Sequence, residues 1–106
     1  MKIGLSLTTA YPREESTVNR FQQLVQQVET ARDHGFHSVW VGDHHVTPNV
    51  YYQSIPTIAR LSAHSGNMQL GPFLLLPLYH PVLLAEQMAT LDVVTGGRLT
   101  LMVASS

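Results

Sequence analysis

Three consecutive residues with acid–base side chains, Asp43-His44-His45, directly follow an apolar segment that is typical of a buried strand. A histidine titrates near neutral pH and can act as a general acid or base. The alternative is a loop histidine that is hydrogen-bonded to nearby backbone or surrounded by water. Because neighbouring histidines on an extended segment point to opposite sides, both cannot bind one ion, and we expect no metal site.

His80 is the second candidate, because it precedes Pro81 at the predicted start of a helix. The unpaired N–H groups of a helix N-terminus suit an anion or a ligand carbonyl. The alternative is that His80 only caps the helix. Tyr51, Tyr52 and Tyr79 present a similar choice, since they could line a pocket for an aromatic ring or lie half-buried in loops.

Several functional classes are excluded by what the sequence lacks. It contains no cysteine, which excludes disulfides and thiolate metal sites, and no G-x-G-x-x-G, P-loop, G-x-S-x-G or H-E-x-x-H motif. Six basic and seven acidic residues give a net charge of −1, so we expect no nucleic-acid or membrane-surface partner. No segment approaches the ~18 apolar residues of a membrane helix, and no signal peptide is recognisable. We therefore expect a cytoplasmic protein.

Strand-like and helix-like segments alternate along the chain and must position these side chains. Strands are predicted over 3–7, 38–42, 68–76 and 99–103, with Trp40 in the core. Ser16 and Ser54 are predicted to cap the first two helices, and Pro81 is predicted to begin the third. This alternation fits either an open doubly wound sheet or the first part of a (β/α)₈ barrel. Gly71-Pro72 inside the third strand predicts a bulge or distortion.

Four motifs in order resemble the N-terminal part of the bacterial luciferase-like monooxygenases, a family of flavin- or deazaflavin-dependent oxidoreductases. They are GFHSVWVGDHH at 35–45, LLPLYHPV at 75–82, AEQ at 85–87 and GRL at 97–99. The resemblance runs from Lys2 to Val103. It implies that 1–106 is a single partial domain of α/β class. This domain is a section of a (β/α)₈ TIM barrel with about three βα units and a fourth strand.

The resemblance also implies roles for individual residues. His44 matches the histidine that lies near the flavin ring and assists proton transfer, and Asp43 matches its acidic neighbour. The Phe73–Leu74 bond matches the position of a non-prolyl cis peptide behind the flavin. The cofactor-binding residues that the resemblance implies are Asp43, Phe73, Leu74, Leu76 and His80.

For the complete enzyme, the resemblance implies oxidation of an organic substrate with reduced flavin mononucleotide (FMN) and O2. The partners implied are a flavin reductase and further copies of the chain. Deazaflavin (F420)-dependent hydride transfer is the alternative activity. A non-catalytic half-barrel that self-associates is the alternative to an enzyme, because residues 102–106 (MVASS) replace a glycine-rich turn of the family and the phosphate-binding strands are not present.

Overall fold

The computed structural model describes residues 1–105, which contain six strands. These are β1 (Gly4–Ser6), β2 (Ala10–Tyr11), β3 (Ser38–Gly42), β4 (Val50–Tyr51), β5 (Gln69–Leu75) and β6 (Met102–Ala104). Four of them form one sheet in the order β1-β3-β5-β6, and every neighbouring pair is parallel. Their carboxyl ends therefore meet at one edge of the sheet, as strand–helix alternation predicts.

Three helices connect the strands of the parallel sheet: α1 (Thr17–Asp33), α2 (Ser54–Leu61) and α3 (Pro81–Val94). The predicted start of α1 is confirmed, because the Ser16 hydroxyl accepts a hydrogen bond from the Asn19 N–H at 3.3 Å. After α1 the chain turns at Gly35, whose φ of +76° lies in the left-handed region that favours glycine.

The predicted cap of α2 is wrong by one residue. Gln53 is the flanking residue and makes no side-chain cap bond, whereas Ser54 is the first helical residue. The buried Ser54 hydroxyl instead donates to the Val41 carbonyl at 2.8 Å, which ties the start of α2 to the end of β3. A hydroxyl in this position satisfies a strand carbonyl and is not available to cap the helix.

The helices cover only one face of the parallel sheet. Because side chains alternate along a strand, one set from each strand points to the helices and the other set points away. The helix-facing set forms the core together with apolar residues of the helices and their connections. The buried members of this core are Leu7, Leu24, Val25, Val28, Ala31, Val39, Val41, Ile58, Leu61, Met68, Leu70 and Leu91.

We call the other side of the sheet the open face. It is formed by Gly4, Ser6, Ser38, Trp40, Gly42, Gln69, Gly71, Phe73, Leu75, Met102 and Ala104. Trp40 is half-buried on this face, so its predicted place in the core is wrong. The indole is positioned over two glycines, since an added Cβ would lie 2.0 Å from the ring at Gly71 and 3.0 Å from it at Gly4.

β5 does not contain the predicted bulge. It pairs in unbroken register with β3, where Gly71 lies opposite Trp40 and Pro72 opposite Val41. The effect of Pro72 appears on the other side, between β5 and β6. Leu70 pairs with Leu99 and Phe73 with Met102 in the same register, but the pairing is interrupted between them. Proline has no N–H to donate there, which explains why the regular strand begins at Met102 rather than at the predicted residue 99.

The expected cis peptide between Phe73 and Leu74 is also wrong, since no peptide bond within residues 1–105 is cis. Both residues belong to the regular part of β5 that pairs with β6. Parallel pairing uses extended trans peptides, and a non-prolyl cis bond costs about 3–4 kcal/mol.

A small antiparallel ribbon, which the sequence did not predict, lies outside the parallel sheet. It pairs β2 with β4, with Ala10 opposite Tyr51 and Tyr11 opposite Val50. The ribbon joins the segment after β1 to the loop between β3 and α2. It therefore holds two loops that follow the carboxyl ends of neighbouring strands.

Candidate functional site

His44 lies just beyond the carboxyl end of β3 and is exposed. Its ring stacks on the ring of Tyr51, with centroids 4.0 Å apart and planes 18° from parallel. A Cβ added to Gly42 would lie 3.7 Å from His44 Nε2 and 4.0 Å from the Phe73 ring. The imidazole nitrogen and the Phe73 ring therefore flank the backbone of Gly42 on the open face.

The backbone of His44 is also held in place. Its carbonyl accepts a hydrogen bond from the Gln53 side-chain amide at 3.1 Å, across nine residues of loop. The loop after β3 is thereby connected to the residue that precedes α2. This bond fixes the Cα from which the imidazole extends.

Asp43 has the opposite environment, because its side chain is 1% exposed and belongs to the helix-facing set. Its Oδ2 accepts hydrogen bonds from the Leu75 N–H at 3.0 Å and from the Tyr79 hydroxyl at 2.8 Å. Burial raises the pKa of Tyr79, and the hydrogen bond to Asp43 and the negative charge of Asp43 raise it further. Asp43 therefore connects the end of β3 to the end of β5 and to the segment that follows.

His45 points away from His44, as strand alternation predicts. Its Nε2 lies 3.4 Å from Asp43 Oδ2, and its ring meets the Tyr79 ring edge-on with centroids 6.2 Å apart. His45 Nε2 and Asp43 Oδ1 are buried and have no hydrogen-bond partner among residues 1–105. Within residues 1–105 no three His, Asp or Glu side chains are grouped closely enough to hold a metal ion.

The other residues that the resemblance implied are spread over different surroundings. Phe73 lies half-buried on the open face, whereas Leu74 is 0% exposed among the helix-facing side chains. Leu76 is 41% exposed and begins a short 3₁₀ helix, Leu76–Leu78, after β5. His80 is exposed and caps α3, because its Nδ1 accepts from the Val82 N–H at 3.2 Å.

The structure thus brings His44 and Phe73 together on the open face, and places Asp43 behind them as a connecting residue. Sequence reasoning did not find the contact between His44 and Tyr51. Tyr51 was noted only as one of three tyrosines that could line a pocket. No local signal indicates the stacking, because it depends on a ribbon whose strands are two residues each.

Arg98, part of one motif of the resemblance, lies at the opposite end of the sheet from this site. Its guanidinium donates to the Ser65 hydroxyl at 2.8 Å and to the carbonyls of Met68 and Ser62 at 3.1 Å each. These bonds join the connection between α2 and β5 to the residue that follows α3. These contacts stabilise the fold and are remote from the candidate site, since barrel active sites lie at the carboxyl ends of the strands.

None of the helices in the described part of the chain is both long enough and apolar enough to cross a membrane.

Comparison with solved structures identifies the architecture. The chain superimposes over its full length on the oxygenating constituent of 3,6-diketocamphane monooxygenase from Pseudomonas putida, a type II Baeyer–Villiger monooxygenase in complex with FMN. The TM-score is 0.87 at 22% sequence identity, and the match covers 30% of that protein. The predicted section of a (β/α)₈ barrel is therefore confirmed, and the open doubly wound sheet is not the fold.

Curated relatives include an oxygenase and a reductase. The oxygenase component of a flavin-dependent trigonelline monooxygenase from Acinetobacter baylyi is 28% identical over 90 residues, which are 79% of this chain and 24% of the relative. The 5,10-methylenetetrahydromethanopterin reductase of Archaeoglobus fulgidus is 36% identical over 84 residues, or 77% of this chain and 24% of the relative. The chain thus spans about a quarter of the length of these relatives.

The family model described as luciferase-like monooxygenase matches residues 1–106. This match covers every motif on which the resemblance was based, and it agrees with the barrel architecture and with the named relatives. The chain belongs to the luciferase-like monooxygenase family and forms an N-terminal section of its barrel.

Proposed function

We propose that this chain supplies the proton-handling part of a flavin-dependent monooxygenase and that His44 is its acid–base residue. The observation that carries the proposal is the position of His44 Nε2, next to Gly42 and Phe73 at the carboxyl end of the open face. That end of the strands is where barrels bind their ligands. His44 is exposed, so its imidazole can exchange protons with a bound molecule.

The residues at this end of the open face fit the ring system of FMN. Gly42 leaves a shallow space between His44 and Phe73, because a Cβ added there would lie 3.7 Å from His44 Nε2 and 4.0 Å from the Phe73 ring. Beside it, Phe73, Leu75 and Ala104 present half-buried apolar surface. A flat aromatic ring with polar edges would cover the apolar side chains and place its polar atoms near the imidazole.

A bound flavin supplies the redox chemistry and the reaction with O2. His44 would donate or accept a proton at Nε2, and the Phe73 and Leu75 side chains would exclude water from the reacting face. Leu76 and His80 follow the same end of β5 and would border the bound cofactor. Asp43 would act through the backbone of Leu75 and the hydroxyl of Tyr79, by keeping the ends of β3 and β5 together.

Two alternatives use the same architecture. Hydride transfer with a deazaflavin cofactor (F420) is favoured by the reductase among the relatives, because that enzyme's name describes a reduction without oxygenation. A non-catalytic half-barrel is favoured by Met102 and Ala104 of β6. Their side chains lie on the open face at positions where the family has glycines, and they would crowd a bound ring. A flavin reductase as partner and association between copies of the chain remain part of the proposal.

The experiment that tests the proposal is a titration of the purified chain with FMN, oxidised and reduced, followed by flavin fluorescence and by solution mass. We expect a dissociation constant in the micromolar range or tighter. Absence of binding at millimolar FMN would contradict the proposal for this chain and favour the non-catalytic alternative. The same titration with F420 distinguishes the two cofactors by their relative affinity.

A matched pair of variants tests whether FMN binds at the open face. Phe73→Ala removes the aromatic ring beside His44 and is expected to weaken FMN binding at least tenfold. Val18→Ala removes a similarly apolar side chain that is 65% exposed on α1, away from the open face, and is expected to leave binding unchanged. Equal affinities for the two variants would show that FMN binds elsewhere.

A further inference from the structure

We infer that Tyr51 is a positioning residue that holds the His44 imidazole over the open face. The β2–β4 ribbon, to which Tyr51 belongs, holds Tyr51 beside His44 at this end of the sheet. The inference deepens the proposed function and rests on it, because it concerns the residue that would handle protons. It names a residue from a different strand, 7 positions along the chain from His44.

The first step of the argument is the stacking geometry. The rings of His44 and Tyr51 are 4.0 Å apart at their centroids and within 18° of parallel. An exposed histidine otherwise rotates freely about its side-chain bonds, and such rotamers exchange on the ps–ns timescale. Contact with a flat aromatic surface on one side restricts the imidazole to the orientations that keep its ring parallel to the tyrosine ring.

The second step is that Tyr51 is itself held firmly. Its neighbour Tyr52 points to the other side of the ribbon, because side chains alternate along a strand. There Tyr52 stacks on Tyr11 at 4.8 Å, meets Phe21 edge-on at 4.9 Å, and donates its hydroxyl to the Thr17 carbonyl. The ribbon is thereby attached to the start of α1, and Tyr51 is presented from a fixed backbone.

The third step is the direction in which the stacked imidazole points. Its Nε2 lies beside Gly42 and the Phe73 ring, where a Cβ added to Gly42 would lie 3.7 Å from Nε2 and 4.0 Å from the Phe73 ring, whereas Trp40 fills the space over Gly71. Because Tyr51 covers one side of the imidazole, the Nε2 edge is the part directed toward a molecule bound on the sheet. Tyr51 thus fixes the orientation of an acid–base group through the stack with its ring.

The test is an NMR comparison of the chain with its Tyr51→Phe and Tyr51→Leu variants in the absence of flavin. The His44 resonances are identified by their loss in a His44→Gln variant. In the parent and in Tyr51→Phe we expect the ring protons of His44 to be shifted upfield by the stacked ring and to show NOEs to residue 51. In Tyr51→Leu both signatures should disappear, whereas the resonances of the other five histidines stay in place.

Two outcomes would overturn the inference. One is that the His44 ring protons of the parent show no upfield displacement relative to a free histidine. The other is that Tyr51→Leu retains the parental His44 shifts. Thermal unfolding of all variants serves as the control for folding. If Tyr51→Leu does not fold, the upfield shifts and NOEs of His44 in the parent still decide, because their absence alone overturns the inference.

Addition of FMN then separates this inference from the proposed function. If both are correct, FMN shifts the His44 resonances in the parent and in Tyr51→Phe, and shifts them several-fold less in Tyr51→Leu at equal occupancy. If FMN shifts no resonance of the open face in the parent, the proposed function fails while the stacking result stands. If FMN shifts His44 equally in all three proteins, the stack does not position the imidazole and the inference fails.

Discussion

At the scale of single residues, the site depends on the alternation of side chains at the end of one strand. Asp43 and His45 point behind the sheet edge and contact each other, whereas His44 points to the open face. Asp43 therefore connects two strand ends, His45 lies beside it, and only His44 of these three residues is exposed on the open face. Sequence types alone did not distinguish these roles.

In a flavin-dependent monooxygenase of the proposed kind, replacing His44 with alanine should lower turnover about 100-fold, because a positioned general acid or base contributes that order of rate. The measurement is O2 uptake with reduced FMN. The fold should be unaffected, since the exposed side chain contacts mainly Tyr51. Turnover close to that of the parent would show that His44 is not the acid–base residue. His44→Gln is the control for side-chain size and polarity.

The raised pKa of Tyr79 predicts that the free energy of unfolding falls at high pH. Its pKa is raised in the folded chain, mainly by burial and further by Asp43, above the value of about 10 for a free tyrosine. The protonated hydroxyl therefore stabilises the fold fully below about pH 10, and this contribution is lost as the pH rises from there through the folded-state pKa. Tyr79→Phe has no such titration. We expect the difference in unfolding free energy between the parent and Tyr79→Phe to shrink steadily as the pH is raised above about 10 in urea titrations, and a constant difference would contradict the assignment.

The site was predictable where it depends on local sequence. An apolar strand followed by Asp43-His44 predicts polar groups at the ligand-binding edge, and the cap by His80 follows from its position before Pro81. The Leu75 N–H and the Tyr79 hydroxyl, from which Asp43 accepts hydrogen bonds, lie 32 and 36 positions further along the chain. The stack of His44 on Tyr51 joins closer residues but forms on the ribbon that pairs β4 with the distant β2. No periodicity encodes such contacts, so they required the fold.

At the scale of elements, β3 and β5 pack closely because the Trp40 ring of β3 lies over Gly71 of β5. The indole occupies the space that a side chain at Gly71 would need, which explains a glycine in the middle of a seven-residue strand. Gly71-Pro72 therefore marks an irregularity, as the sequence indicated, but not a bulge. Gly71 makes room for the Trp40 ring, and Pro72 lacks the N–H that would pair with the last strand. Strand and helix positions followed from apolar patterns, whereas the β2–β4 ribbon is too short to produce one.

Gly71→Ala tests this match. The new Cβ would lie 2.0 Å from Trp40 Cε3, so the ring must move, and overpacking of this kind costs about 1–3 kcal/mol. We expect a lower unfolding free energy and a changed emission of Trp40, the single tryptophan of the chain.

A double-mutant cycle with Trp40→Leu identifies the cause. Residues in contact show non-additive effects, so Gly71→Ala should cost much less when the indole is absent. Additive losses would mean that the cost of Gly71→Ala arises from the backbone and not from the ring.

At the scale of the whole molecule, the parallel sheet is covered by helices on one face only and has two edges, β1 and β6. Sheets of eight strands close into a barrel and have no edge, and this chain contains four of them. The barrel section could be predicted because four motifs matched a family in order. The four parallel strands of residues 1–105 do not close a barrel of eight.

Association follows from these exposed surfaces. Leu101, Met102 and Val103 are each 43% exposed or more, beside an unpaired strand edge. Such edges pair with other chains, so we expect the isolated chain to form oligomers at micromolar concentration. Light scattering after size-exclusion chromatography measures this directly. Val103→Lys should reduce association, and a parent chain that is monomeric and melts cooperatively would contradict the prediction.

Pro72 has a consequence for the dynamics of the sheet. Because β5 and β6 share one register but lose their pairing opposite this residue, β6 is held by a short ladder that can open without disturbing β1, β3 and the rest of β5. We expect the amide protons of 102–104 to exchange with solvent deuterium orders of magnitude faster than those of Val39 and Leu70 in the core. Equal protection would show that the sheet opens only as a unit. If the prediction holds, the strand that would join this section to the next part of a barrel is also the strand most ready to detach from it.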